Sequence, residues 1–171
     1  MAGIVIVAHT PVASAMLGFA EHAFGVVPER VQAVDIPPYE DTKVSFDRVL
    51  KAAYGVNTGN GVLILTDVMG ATPANVASKL EALGPLSGLN APVVVLAGLN
   101  LPMLMRCISH RGEGLEELAQ KALAGGQHGI LRLGSKVNQE KRGLISQCLP
   151  QKLKSLISWV CTLALLRSFL N

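Results

Sequence analysis

An α/β fold, with a doubly wound, mostly parallel four-stranded sheet flanked by helices, is predicted by three features of the 171-residue sequence. Short runs of Val, Ile and Leu alternate with segments of helical period. Apart from Val31 to Ile36, which holds Gln32 and Asp35, the runs are apolar throughout, as in strands covered on both faces. Gly and Pro punctuate nearly every junction between them. Half the residues are hydrophobic and 16% are charged, which excludes wholesale disorder. At 171 residues the chain has room for one substantial core.

Gly3-Ile-Val-Ile-Val-Ala8 reads as the first strand. Val12 to Phe24 follows with helical spacing through Val12, Ala15, Met16, Phe19 and Ala23, and Gly25 can stop it. Val31 to Ile36 is a second strand closed by Pro37-Pro38. Thr42 to Tyr54 is an amphipathic helix, with Val44, Val49, Leu50 and Ala53 inward and Lys43, Asp47, Arg48 and Lys51 outward. Gly61 to Thr66 is the third strand and Pro73 to Leu83 the third helix, stopped near Gly84-Pro85. Pro92 to Ala97 is the fourth strand, followed by helices over Leu101 to Ser109 and Leu115 to Leu123. Gly125-Gly126 breaks the pattern, and Gly129 to Leu133 reads as a last strand. The order implies right-handed crossovers. No stretch reaches transmembrane length, and no basic leader precedes the Ile4 to Ala8 run, so a cytoplasmic protein is expected.

The net charge of +3 is unevenly placed. Residues 1–134 hold nine Lys/Arg against eleven Asp/Glu, whereas residues 135–171 hold six Lys/Arg against Glu140 alone. A nucleic-acid partner inferred from the pI of about 8.9 would therefore rest on the tail, and none is expected. Cys107, Cys148 and Cys161 have neither metal spacing nor an even count, so neither a disulfide framework nor a metal is expected, nor any other cofactor.

Ligands of open α/β sheets collect beyond the carboxyl ends of the strands, where the strand order reverses. Three such ends are unusual here: His9-Thr10-Pro11, Asp67-Val-Met-Gly-Ala-Thr72-Pro73 and Gly98-Leu-Asn100-Leu-Pro102. Thr10 and Thr72 each precede a proline, so each is expected as an N-cap with Pro at the first helical position. Helix amino ends attract phosphate. His9 and Asp67 then make a phosphorylatable histidine, because a carboxylate on one ring nitrogen fixes the tautomer and frees the other nitrogen for attack. Amides near Met69, Gly70 and Thr72, with the Thr72 hydroxyl, are expected to receive the charge, and Thr10 lies beside them. His22, His110 and His128 read as solvated.

Over about residues 1–133 the sequence resembles the IIA component of the mannose family of the bacterial phosphoenolpyruvate-dependent sugar phosphotransferase system (PTS). The resemblance rests on Gly3 to His9, Gly61 to Asp67, Gly70-Ala-Thr-Pro-Ala-Asn75 and Gly98-Leu-Asn-Leu-Pro-Met-Leu104. It implies a phosphotransferase in which His9, through Nε2, accepts a phosphoryl group from the phosphocarrier HPr and passes it to a IIB domain. It also implies that Asp67 orients His9, that Thr72 contacts the phosphoryl group, and that a homodimer exchanges a strand matching Gly129 to Leu133. The sequence departs from the family's pattern at Thr10-Pro11, where a small residue usually follows the histidine, and at Ala71-Thr72, where the family has Gly-Ser. Two alternatives use the same chemistry: the phosphocarrier subunit of dihydroxyacetone kinase, and a non-transport PTS regulator.

Residues 134–171 are compositionally foreign to this domain. Codons for Cys148 to Asn171, shifted by one base, can spell a phrase resembling the amino end of HPr. The tail is thus expected to be a shifted-frame reading of a downstream HPr gene. An amphipathic helix, with Leu153, Leu156, Ile157 and Val160 on one face, is the rival expectation.

Overall fold

Continuous β-branched and aliphatic runs leave no polar face for water, so each must be covered on both sides. In the computed structural model, which describes residues 1–132, three such runs and the mixed segment Val31–Ile36, which carries Gln32 and Asp35, form a parallel sheet: β1 (Gly3–His9), β2 (Val31–Ile36), β3 (Val62–Thr66) and β4 (Val93–Ala97). Their spatial order is β2-β1-β3-β4. Helices α1 (Val12–Phe24), α4 (Leu101–His110) and α5 (Leu115–His128) cover one face. Helices α2 (Thr42–Val56) and α3 (Thr72–Leu83) cover the other, and a 3-10 turn spans Gly84–Ser87.

Side-chain alternation divides the strands between two cores. Ile4, Ile6 and Ala8 of β1 and Leu63 and Leu65 of β3 pack with Ala13, Leu104 and Leu118. Val5 and Val7 of β1 and Val62 and Ile64 of β3 pack with Val49, Val76 and Leu80. Residue 9 continues the second series, which faces α2 and α3. Strand order reverses between β1 and β3, so His9 and Asp67 stand side by side at the switch point.

All the expected elements but the last strand form, two with the expected boundaries and the rest with an end moved by one to five residues, and four details differ. Val44 of α2 faces solvent, while Ser45 is buried and donates its hydroxyl to Glu40 at 2.6 Å. Gly125-Gly126 does not break the last helix, because α5 runs on to His128. These glycines let two helices approach closely: a Cβ at Gly125 would come within 2.3 Å of the Arg106 side chain on α4, and one at Gly126 within 3.0 Å of Met103. Residues 129–132 form no strand, since the Gly129 N–H donates to Gly125 O and extends the helical turn. Leu133 and the tail from 134 to 171 lie outside the described residues, as does any strand exchange between copies. His110, expected in a solvated turn, instead ends α4 half-buried with Nδ1 3.1 Å from Arg106 O.

Among the described residues β4 is therefore an edge. Its outward Val95 N–H donates to the Glu81 carboxylate of α3 at 3.1 Å, which occupies one ladder position that a further strand would use. Among the described residues no helix is long and apolar enough to cross a membrane.

Candidate active site

β1 carries His9 to the carboxyl edge of the sheet, and β3 ends one residue before Asp67. The carboxylate of Asp67 serves three donors. Its Oδ2 accepts the His9 backbone N–H at 2.9 Å and lies 2.7 Å from His9 Nδ1, and its Oδ1 accepts the Val68 N–H at 2.8 Å. The imidazole is thus tied to the backbone of its own residue through one oxygen, which fixes the ring's position and, in a neutral ring, favours the tautomer with the proton on Nδ1 and the lone pair on Nε2. The His9 side chain is 49% exposed while that of Asp67 is 14% exposed, so the ring is held from behind and open in front.

Burial pushes the Asp67 carboxyl upward. Hydrogen bonds from the His9 backbone, the His9 ring and the Val68 backbone outweigh that and hold it below its ordinary 3.8. Asp67 is therefore ionised at neutral pH, ready to balance positive charge on the ring.

Thr10, Met69, Gly70 and Thr72 all lie at this edge and are exposed. Gly70 adopts φ +83°, a left-handed conformation that L side chains rarely take, and it turns the chain back into α3. The Asn75 side chain donates to Gly70 O at 3.1 Å and braces this turn. Among the described residues the N–H groups of Met69, Gly70 and Thr72 donate to no protein acceptor, whereas the Ala71 N–H donates to Val68 O and the Asn75 N–H to Ala71 O. The amino end of α3 thus keeps open donors on the His9 side of the sheet.

Neither threonine is an N-cap. Helix α3 begins at Thr72 itself, with Ala71 at the cap and no side-chain cap bond. Helix α1 begins at Val12, with Pro11 at the cap after a cis Thr10–Pro11 peptide. Pro11 has no side-chain acceptor. Asp35, at the end of β2, supplies one instead: its Oδ1 accepts the N–H of Ala13 at 2.9 Å and of Ser14 at 3.2 Å. Thr10 plays a backbone part, donating its N–H to Ile36 O at 3.2 Å and so prolonging the β1–β2 ladder. Asp35 was not singled out from the sequence, where an acid inside a short apolar strand was the available signal. At the third strand end, Asn100 caps α4 by accepting the Met103 N–H at 3.0 Å and donates to Gly98 O, so it shapes its loop from behind. Among the described residues no three His, Cys, Asp or Glu side chains are grouped to hold a metal.

The family model of the PTS system fructose IIA component, EIIA-man, matches residues 3–123. The chain belongs to this EIIA family. It is 30% identical over 135 residues to the PTS system mannose-specific EIIAB component of Escherichia coli strain K12, a match covering 78% of the chain. The chain spans only 40% of that relative's length. The crystal structure of EIIA from Streptococcus agalactiae superposes with a TM-score of 0.67 at 28% identity, covering 77% of this chain and 97% of that one. The PTS IIA protein associated with the fucose utilization operon of Streptococcus pneumoniae gives 0.59 at 28% identity, covering 81% and 100%. EIIA components of the PTS are phosphotransferases in general, and membership of the family supports a phosphoryl-carrier role for this domain.

Proposed function

We propose that His9 Nε2 is the atom that carries the phosphoryl group, accepted from phospho-HPr and passed to a IIB domain. The observation that supports this most strongly is the 2.7 Å contact between His9 Nδ1 and Asp67 Oδ2 on a half-exposed ring at the switch point. Nε2 attacks the donor's phosphorus in line; the new P–N bond forms as the donor histidine's P–N bond breaks, and the donor nitrogen leaves with the electron pair. Nδ1 keeps its proton, so the ring gains positive charge that the Asp67 carboxylate balances. Donors at Met69, Gly70 and Thr72, the Thr72 hydroxyl among them, receive the phosphoryl oxygens. Return to a IIB nucleophile is the same step reversed.

The same reading assigns the carrier to residues 1–133, places Thr10 at the rim, and makes the tail dispensable. It includes a homodimer, to be checked by sedimentation of the full chain. The test is incubation with phosphoenolpyruvate, enzyme I and HPr, followed by peptide mass spectrometry and transfer to a IIB domain. The wild type gains one acid-labile, base-stable phosphoryl group on the His9 peptide, and a His9→Ala variant gains none. Equal labelling of that variant would overturn the assignment.

A further inference from the structure

We propose that Asp35 is a positioning residue for phosphotransfer. By occupying the amino end of α1, it leaves the amino end of α3 as the sole helix end that receives the phosphoryl group at His9. The inference rests on the function proposed above and adds to it the choice between two helix ends.

Both ends adjoin His9. Only Thr10 and Pro11 separate it from the first residue of α1, and Asp67 joins it to the loop that enters α3. By residue type alone the two ends look alike, since Thr-Pro stands at the start of each (Thr10-Pro11 just before α1, Thr72-Pro73 opening α3) and each would present free N–H groups. Hydrogen bonding makes them unequal. The second and third N–H groups of α1, those of Ala13 and Ser14, are taken by Asp35 Oδ1. A carboxylate there also offsets the positive end of the helix dipole, so a second anion gains little and is repelled. At α3 no side chain caps the helix, and the Gly70 and Thr72 N–H groups remain open.

The strands explain how Asp35 reaches that place. Ala8 pairs with Asp35 in the parallel ladder, and Ala8 belongs to the series facing α1. His9, the next residue, belongs to the opposite series, toward α3. Asp35 and the Ile36 carbonyl together grip the 10–14 segment from β2, since Ile36 O accepts the Thr10 N–H. The carboxylate therefore fixes where the chain leaves His9 and removes a competing anion site on the wrong face.

The test uses the 15N-labelled full chain before and after phosphorylation by phosphoenolpyruvate, enzyme I and HPr. In the wild type the Gly70 and Thr72 amide resonances move strongly on phosphorylation while those of Ala13 and Ser14 move little. In Asp35→Ala the Ala13 and Ser14 amides join the response. The turnover number for acceptance then falls roughly 3- to 30-fold, the factor that corresponds to the energy of one cap when its positioning effect is felt in the transition state, with KM for phospho-HPr unchanged. Asp35→Asn, which keeps an acceptor oxygen, restores most of the rate and the wild-type pattern. Wild-type Ala13 and Ser14 amides that move as far as those of Gly70 and Thr72 would overturn the inference while leaving the carrier function intact. So would an Asp35→Ala protein with unchanged rate and pattern. Where Asp35→Ala does not fold, the wild-type comparison and Asp35→Asn decide. A phosphoryl group found away from His9 would overturn both proposals.

Discussion

Replacing Asp67 with Asn removes one charge and leaves one acceptor oxygen for three donors. In the wild type the His9 N–H, the His9 ring and the Val68 N–H share two carboxylate oxygens. In the variant at least one of them meets an amide NH2. The charge-assisted ring contact at 2.7 Å is the one that changes during transfer, because the ring becomes more positive as the P–N bond forms. A hydrogen bond to a charged group contributes about 1.5–3 kcal/mol. If that contribution is made in the transition state, acceptance slows by roughly 10- to 150-fold at tenfold per 1.36 kcal/mol. Single-turnover transfer from phospho-HPr measures the rate, and 15N shifts of the ring report the tautomer. The wild type shows a protonated Nδ1 and a bare Nε2, while Asp67→Asn shows a mixture of tautomers and the slower rate. A variant with wild-type rate and wild-type tautomer would refute the reasoning that the carboxylate sets up the nucleophile.

Stability should follow the same group. A carboxyl held below 3.8 stabilises the fold at pH values above its unfolded value, and that contribution fades as pH falls through the lower folded value. The stability gap between wild type and Asp67→Asn, measured by urea unfolding, should narrow as pH drops below 3.8; a gap that widens there contradicts the assigned hydrogen bonds. The Cys107 thiol, pushed up to about 12 by burial, should resist alkylation at pH 8 in the native protein and react on unfolding, as peptide mapping would read. Leu104 is wholly buried between the sheet and its helices, and Leu104→Ala should cost about 2–5 kcal/mol in denaturant unfolding. Deleting residues 134–171 should leave phosphotransfer from HPr at the wild-type rate.

Period and punctuation carried the strands, the helices and their order, because a strand buried on both faces is mostly apolar and Gly or Pro marks most helix ends here. The His9–Asp67 pair was legible for a related reason: parallel strands leave the sheet at one edge, so residues following adjacent strands converge. Capping was less legible. Thr-Pro names a helix start without saying which residue sits at the cap, and Asp35 is 21 to 22 residues away from the amides it accepts. Gly125-Gly126 misled because close helix packing and helix breaking use the same residue, and only the proximity of Arg106 and Met103 separates the two.

The central claim is tested most directly by 15N–31P coupling in the phosphorylated protein with 15N-labelled histidine rings. Coupling at Nε2 of His9, with its Nδ1 still protonated against Asp67, is the predicted result. Coupling at Nδ1, or a phosphoryl group on any other residue, would contradict it.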